Sequence, residues 1–167
     1  MKILYLHGLN SRLHEDRREC IELYSKHIYA PSIDYMQPVD WLGKVLEEYA
    51  DTDFVIGSSA GGLLGYYVSI SLQRPALLFN PALNYRKEVN NLPSLQVPKP
   101  IMHIVMGALD KDVPAKESLR ELRKDLLPSD PVTVHWKYDL AHSIPINVFQ
   151  DYCRLALMSR AIKGESR

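Results

Sequence analysis

Short apolar runs alternate along the chain with longer segments in which apolar residues recur at helical spacing. The short runs predict strands at residues 2–6, 28–30, 54–56, 76–79, 101–106 and 132–138. The longer segments predict helices at residues 15–26, 38–49, 60–73, 115–127 and 145–162. Strands that alternate with helices indicate βαβ units with right-handed crossovers. The predicted fold class is therefore α/β, with a six-stranded, mostly parallel sheet and helices on both faces.

Two segments depart from this alternation. Residues 54–73 carry no charge over a length that could cross a bilayer, but they are rich in Gly and Ser and are interrupted by GSSAGG at residues 57–62. A buried strand, a tight turn and a buried helix explain the same run, so we expect no membrane span. Residues 80–100 have no clear period and contain several Pro and Asn. We expect them to cross one edge of the site without enclosing it, because so short a segment cannot build its own core.

Length and charge limit the function further. The 167 residues fit one domain, which we expect to span residues 1–163 with a frayed tail at residues 164–167. Lysine plus arginine and aspartate plus glutamate number 20 each, so no excess positive charge is available for nucleic acid. Cys20 and Cys153 cannot form a disulfide framework, and no close Cys/His pair suggests zinc. We therefore expect a cytoplasmic protein without a metal or cofactor.

Residues with catalytic chemistry follow three of the predicted strands. In open α/β sheets, ligands bind at the carboxyl ends of the strands. Ser59 lies there in a GxSxG motif that opens an uncharged helix, and Gly57 and Gly61 leave room for a sharp strand-to-helix turn. Asp110 follows the fifth strand and His142 follows the sixth. The order Ser, Asp, His predicts a nucleophile, an acid and a base.

Other assignments of the acid and the base are possible from the sequence. Asp112 lies two residues after Asp110 and competes as the acid, although it could instead cap the helix that begins at residue 115. His142 is favoured as the base by its position after the last strand. The other histidines are placed less well for this role. His103 and His135 lie inside strands, His14 and His27 lie in early helical or turn segments, and His7 precedes the nucleophile in the chain.

Four motifs together resemble the α/β-hydrolase superfamily and, more narrowly, the small bacterial YqiA-like esterases. They are LHGLNS at residues 6–11, IGSS at residues 56–59, NPA at residues 80–82 and GxxDxxVP at residues 107–114. The resemblance covers nearly the whole chain and implies a reduced hydrolase fold with strand order 2-1-3-4-5-6. The usual family histidine lies in a glycine-rich turn, whereas the turn around His142 has no glycine.

The resemblance also implies a reaction and further site residues. His7 and Gly8 would form the oxyanion loop, and the backbone amides of Leu9 and Ala60 would bind the oxyanion. We expect an esterase or thioesterase that cleaves a small acyl ester through an acyl-enzyme, with a small-molecule substrate and no nucleic acid or membrane partner. The alternatives are a catalytically degenerate binding module and a peptidase that uses the same triad. The sequence predicts no oligomeric state.

Overall fold

The structure is a computed structural model that describes residues 1–89, 91–93, 95 and 97–164, with side chains described as far as residue 158. It contains a single six-stranded sheet with every pair of neighbours parallel, in the order β2-β1-β3-β4-β5-β6. Its strands are β1 (Lys2–Leu6), β2 (His27–Tyr29), β3 (Phe54–Ser58), β4 (Ala76–Phe79), β5 (Met102–Gly107) and β6 (Val132–Lys137). The predicted fold class and strand order are confirmed.

Five α-helices and one 3₁₀ helix connect or follow these strands. They are α1 (Glu15–Glu22), α2 (Trp41–Glu48), α3 (Ala60–Leu72), the 3₁₀ helix (Leu83–Glu88), α4 (Ala115–Asp125) and α5 (Ile146–Gly164). Helix α2 begins later than the pattern predicts because the Asp40 carboxylate accepts a hydrogen bond from the Gly43 amide at 2.9 Å and caps the helix there. Helix α1 ends early because Ser25 bonds the turn into β2. Of the predicted tail at residues 164–167, Gly164 is the last residue of α5, and residues 165–167 lie outside the described residues.

Helices cover both faces of the sheet. Buried side chains of α2, α3 and α4 pack on one face, and those of α1 and α5 pack on the other. Helix α3 is buried from Gly61 to Ile70, which explains its lack of charge. None of the described helices has the length and apolar character needed to cross a membrane. The carboxyl ends of the strands remain uncovered by these layers, and the predicted site residues lie there.

Candidate active site

Ser59 lies on a strained turn between β3 and α3. Its φ of 56° and ψ of −119° fall in a region that non-glycine residues rarely adopt. A Cβ atom on Gly57 would lie 2.3 Å from the Gly61 carbonyl oxygen, and one on Gly61 would lie 2.1 Å from the Leu6 carbonyl oxygen. Both positions therefore require glycine. The Ser59 amide donates to Phe79 O at 3.0 Å, so the turn is also attached to the end of β4.

The loop after β1 approaches this turn closely. A Cβ atom on Gly8 would lie 3.3 Å from Ser59 Cβ and 3.9 Å from Ser59 Oγ. The next residue, Leu9, lines the same cavity as Ser59 and Ala60. Ala60 is the first residue of α3, so its amide has no acceptor within the helix. Leu9 and Ala60 therefore both line the cavity that contains Ser59.

His7 is engaged in holding this loop and is not available as the base. It is only 3% exposed, and its Nε2 accepts a hydrogen bond from the Ile33 amide at 2.9 Å. The proton is therefore on Nδ1, which donates to Gly8 O at 2.6 Å. Because the peptide after Gly8 is trans, the Leu9 N–H points away from that carbonyl. Tyr35 Oη donates to His7 O at 2.7 Å, and burial raises the pKa of Tyr35, which keeps its hydroxyl protonated.

Asp110 and His142 form a direct pair. His142 Nδ1 lies 2.8 Å from Asp110 Oδ2, and the Asp110 side chain is fully buried while that of His142 is 29% exposed. Asp110 Oδ1 accepts from the amides of Asp112 and Val113 at 2.9 and 2.8 Å. An ionised carboxylate only accepts, so His142 Nδ1 donates and Nε2 is left to accept a proton.

Asp112 has a different environment. It is exposed, and among the described residues its carboxylate has no hydrogen-bond partner. It does not cap α4 either, because Pro114 occupies the cap position without a side-chain bond. Asp110, Asp112 and His142 each offer a metal ligand atom within 4.8 Å of the others. However, Asp110 and His142 already bind each other, so a cation would have to compete with that pair.

The structure brings the predicted residues to one cavity. Ser59, His142, Leu9 and Ala60 all line it, and its volume is about 680 Å³. Within the described part of the chain, no hydrogen bond joins the Ser59 hydroxyl to His142. Of the other histidines, His103 and His135 do not line this cavity, and they bond to each other at 3.0 Å across β5 and β6.

The cavity has walls that the sequence pattern did not predict. One wall is formed by the segment after β2 and the start of α2, and the other by the 3₁₀ helix. The apolar and aromatic lining residues include Tyr35, Val39, Trp41, Leu42, Leu63, Leu64, Tyr85 and Val89. Among the described lining residues the carboxylates are Asp40, Glu88 and Asp112, and there is no lysine or arginine. The segment after β4 thus lines one side of the cavity, and residues 35–42 line another.

Asn80, at the end of β4, is a further polar residue of the site region that the sequence did not assign. It is 3% exposed, and its side chain bonds to Gly107, Ala141 and His142. The available signal was its place in the NPA motif directly after a buried strand. That motif alone could not indicate which loops the side chain would reach.

One protein-family model matches more than half of the sequence. The model for the Uncharacterised protein family (UPF0227) matches residues 2–101, which include the loop after β1, the Ser59 turn and the segment after β4. The chain belongs to this family. The match does not extend to Asp110 or His142. A search of curated proteins found no significant match to the sequence.

Solved structures share the fold at low sequence identity. Est1E from Butyrivibrio proteoclasticus superimposes with a TM-score of 0.71 and 13% identity, covering 96% of this chain and 88% of that one. A Paleococcus ferrophilus monoacylglycerol lipase gives 0.68 and 16%, covering 94% and 93%. Alpha/beta hydrolase domain-containing protein 10 from mouse gives 0.67 and 16%, covering 99% and 90%. This chain therefore has the α/β-hydrolase fold.

Proposed function

We propose that this protein is a serine hydrolase that cleaves a carboxylic ester or thioester through a Ser59–His142–Asp110 triad. The observation that carries the proposal is the hydrogen-bonded pair of the buried Asp110 and the partly exposed His142, which opens onto the same cavity as the strained Ser59 turn. A fold that only bound ligands would need neither the strained serine nor this pair. The likeness to a monoacylglycerol lipase supports the same reaction class.

The proposed reaction uses each residue for one task. Ser59 Oγ attacks the carbonyl carbon while His142 Nε2 takes the hydroxyl proton, and Asp110 stabilises the resulting imidazolium. The amides of Leu9 and Ala60 donate to the oxyanion, each donor typically being worth about 3–4 kcal/mol in the transition state. His142 then protonates the leaving group. Water, activated by His142, hydrolyses the acyl-enzyme and restores Ser59.

The cavity lining points to the kind of substrate. A volume of about 680 Å³ falls within the range of cavities that bury most of a small organic ligand. Its aromatic and aliphatic walls favour one apolar arm, at about 0.8 kcal/mol for each buried CH₂ group. The ionisable lining residues other than tyrosines are three carboxylates and His142, so that arm should carry no negative charge. We propose a small, uncharged acyl ester as the substrate.

Substitution of Ser59 tests the proposal, with its neighbour Ser58 as the matched control. Ser59→Ala should lose about 10⁶-fold in kcat, as expected when a triad loses its nucleophile. Ser58→Ala should keep activity near wild type, because Ser58 ends β3 and does not line the cavity. Both variants would be assayed with p-nitrophenyl butyrate and labelled with a fluorophosphonate. A Ser59→Ala protein with more than a tenth of wild-type turnover would refute the triad, and no labelling of wild type would favour a binding module.

A series of acyl chain lengths tests the cavity. Because the cavity has apolar walls, kcat/KM for p-nitrophenyl esters should rise as the acyl chain extends beyond the shortest members. Leu64→Trp would fill part of the cavity and should move the optimum to shorter chains. A flat profile in wild type, unchanged in Leu64→Trp, would exclude the cavity as the acyl site. Matched thioesters and peptide amides in the same screen separate esterase, thioesterase and peptidase activity.

The location of the protein is also a proposal. Cys20 and Cys153 are free and buried in the structure. Free thiols are typical of proteins in a reducing compartment. This supports the cytoplasm, and fractionation of cells that produce the chain would test it.

A further inference from the structure

We infer that Asn80 is a positioning residue that fixes the relative placement of the acid and the base. The inference rests on the proposed function, because it takes Asp110 and His142 as the working pair. Asn80 lies at the carboxyl end of β4, between the strand that carries Ser59 and the strand that leads to Asp110. It touches neither the cavity nor a reacting atom, so any effect on catalysis must pass through the loops that it binds.

The Asn80 side chain makes three hydrogen bonds to two different loops. Its Oδ1 accepts from the Gly107 amide at 2.7 Å, at the end of β5. Its Nδ2 donates to Ala141 O at 3.0 Å and to His142 O at 3.2 Å, in the turn between β6 and α5. One planar amide therefore ties the strand end before the acid to the backbone of the base.

The chemistry of the partners fixes the orientation of this amide. Gly107 N–H can only donate, so the side-chain oxygen must face it. The two carbonyls of the histidine turn can only accept, so the side-chain nitrogen must face them. Each Nδ2 hydrogen then has one acceptor. No other residue of similar size supplies one acceptor and two donors in this arrangement, since aspartate lacks the donors and leucine lacks all three.

Asn80 also supplies a constraint that the histidine turn lacks. The segment around His142 has no glycine, and none of its residues has a positive φ. The turn instead packs directly on β5, where a Cβ atom on Gly107 would lie 2.4 Å from Leu140 O. Leu109 N also donates to Leu140 O at 3.0 Å. The Asn80 bonds add a third link between this turn and β5, and they hold the His142 backbone against the strand that precedes Asp110.

The backbone of Asn80 fits the same role. Its φ is 41°, a value that asparagine tolerates better than most residues, and its amide donates to Val105 O at 2.8 Å. A glycine at this position would keep the backbone conformation while losing all three side-chain bonds. Asn80→Gly is therefore the variant that isolates the contribution of the side chain.

The test compares Asn80→Gly and Asn80→Asp with Asn84→Ala. Asn84 belongs to the adjoining 3₁₀ helix and accepts a bond from Ser118 at 3.1 Å, so its loss removes an asparagine contact that does not reach the triad. Asn80→Asp keeps the acceptor for Gly107 but turns an oxygen toward two carbonyls. Rates with p-nitrophenyl butyrate would be normalised to the folded fraction measured by circular dichroism, and the His142 Nδ1 proton would be followed by NMR.

We expect Asn80→Gly to lower kcat by about 10- to 100-fold with little change in KM, the size of loss that a small misplacement of catalytic groups produces. Asn80→Asp should lose at least as much. The downfield resonance of the His142 Nδ1 proton should shift or broaden in both variants and stay unchanged in Asn84→Ala. Should Asn80→Gly not fold, Asn80→Ser decides, because its hydroxyl can replace one bond and should give an intermediate kcat.

Wild-type kcat per folded molecule in the Asn80 variants, with an unchanged Nδ1 resonance, would overturn the inference and leave Asn80 a purely structural residue. If the variants fold too poorly for rate measurements, an unchanged His142 Nδ1 resonance in their folded fraction would overturn the inference equally. Failure of the proposed function is distinguishable, because it requires that Ser59→Ala remain active. A dead Ser59→Ala alongside an unaffected Asn80→Gly rejects the positioning role alone.

Discussion

Replacing Asp110 with asparagine should abolish most of the activity while leaving the fold almost intact. Asp110 makes three hydrogen bonds, two from backbone amides to Oδ1 and one from His142 Nδ1 to Oδ2. Asparagine can keep the first two, because its carbonyl oxygen accepts as the carboxylate oxygen does. Its NH₂ group would then face His142. The loop should therefore keep its shape, but the partner presented to His142 changes from an acceptor to a donor.

The magnitude follows from the tautomer of the histidine. When a donor faces Nδ1, the imidazole binds it best with the proton on Nε2, and this nitrogen can then no longer take the proton of Ser59. In a comparable triad, the same change lowers kcat by about 10⁴-fold. We expect that factor for Asp110→Asn. The free energy of unfolding should fall by only about 1.5–3 kcal/mol, the range for a hydrogen bond that involves a charged group.

Asp112→Asn is the matched control for this experiment. Asp112 is exposed, makes no cap for α4 and has no hydrogen-bond partner among the described residues, so its variant should stay within about 0.5 kcal/mol of wild-type stability. The two variants would be compared by kcat/KM on p-nitrophenyl butyrate and by urea unfolding. An inactive Asp112→Asn beside an active Asp110→Asn would refute the reasoning, because the acid would then lie two residues further along the chain.

Two further predictions concern the packing of the strand-to-helix turn at Ser59 and the response of stability to pH. Gly61→Ala should lower the free energy of unfolding by about 3 kcal/mol and remove most activity, because its Cβ would lie 2.1 Å from Leu6 O. In Gly65→Ala the new Cβ meets a movable side chain at 3.1 Å, so the loss measured by urea unfolding should stay within about 1 kcal/mol. Equal losses in the two variants would contradict this prediction. Burial lowers the pKa of His103, and burial together with the neighbouring His103 charge lowers the pKa of His135. As the pH drops below about 6.5, these histidines are therefore protonated in the unfolded chain before they are protonated in the folded one. Stability should fall over this range, toward the lowered pKa values of the folded state. His135→Gln should flatten that fall in unfolding measured from pH 8 to 5, and a slope as steep as wild type would exclude the pair as its source.

The fold could be predicted because its signals are local. Alternating apolar runs indicated the sheet, and the uncharged segment from residue 54 to 73 indicated a buried strand, turn and helix. The GxSxG motif also carried its own explanation, since Gly57 and Gly61 have no room for a Cβ atom in the structure. A requirement imposed by neighbouring backbone is visible as glycine in the sequence. Glycine at positions 57 and 61 is therefore a local signal of the sharp turn at Ser59.

The cavity walls could not be predicted in the same way. They come from residues 35–42 and from the 3₁₀ helix, which are far apart in the chain and have no shared period. The 3₁₀ helix is too short to give a helical pattern, so the sequence predicted no helix within residues 80–100. Asn80 was missed for a related reason. Its partners lie 27 to 62 positions away, and no spacing rule connects a residue to backbone groups at such separations.

The 3₁₀ wall depends on long-range contacts for its position, because its own hydrogen bonds are few. Arg86, in that helix, pairs with Glu121 at 3.3 Å and Asp125 at 2.9 Å in α4. All three side chains are largely shielded from solvent, so the pairs are less screened than surface ion pairs. Tyr66 Oη of α3 also donates to Asp125 at 3.3 Å, which joins α4 to the helix that follows Ser59. One short helix can thus enclose part of the cavity, provided that a shielded charge cluster holds that helix in place.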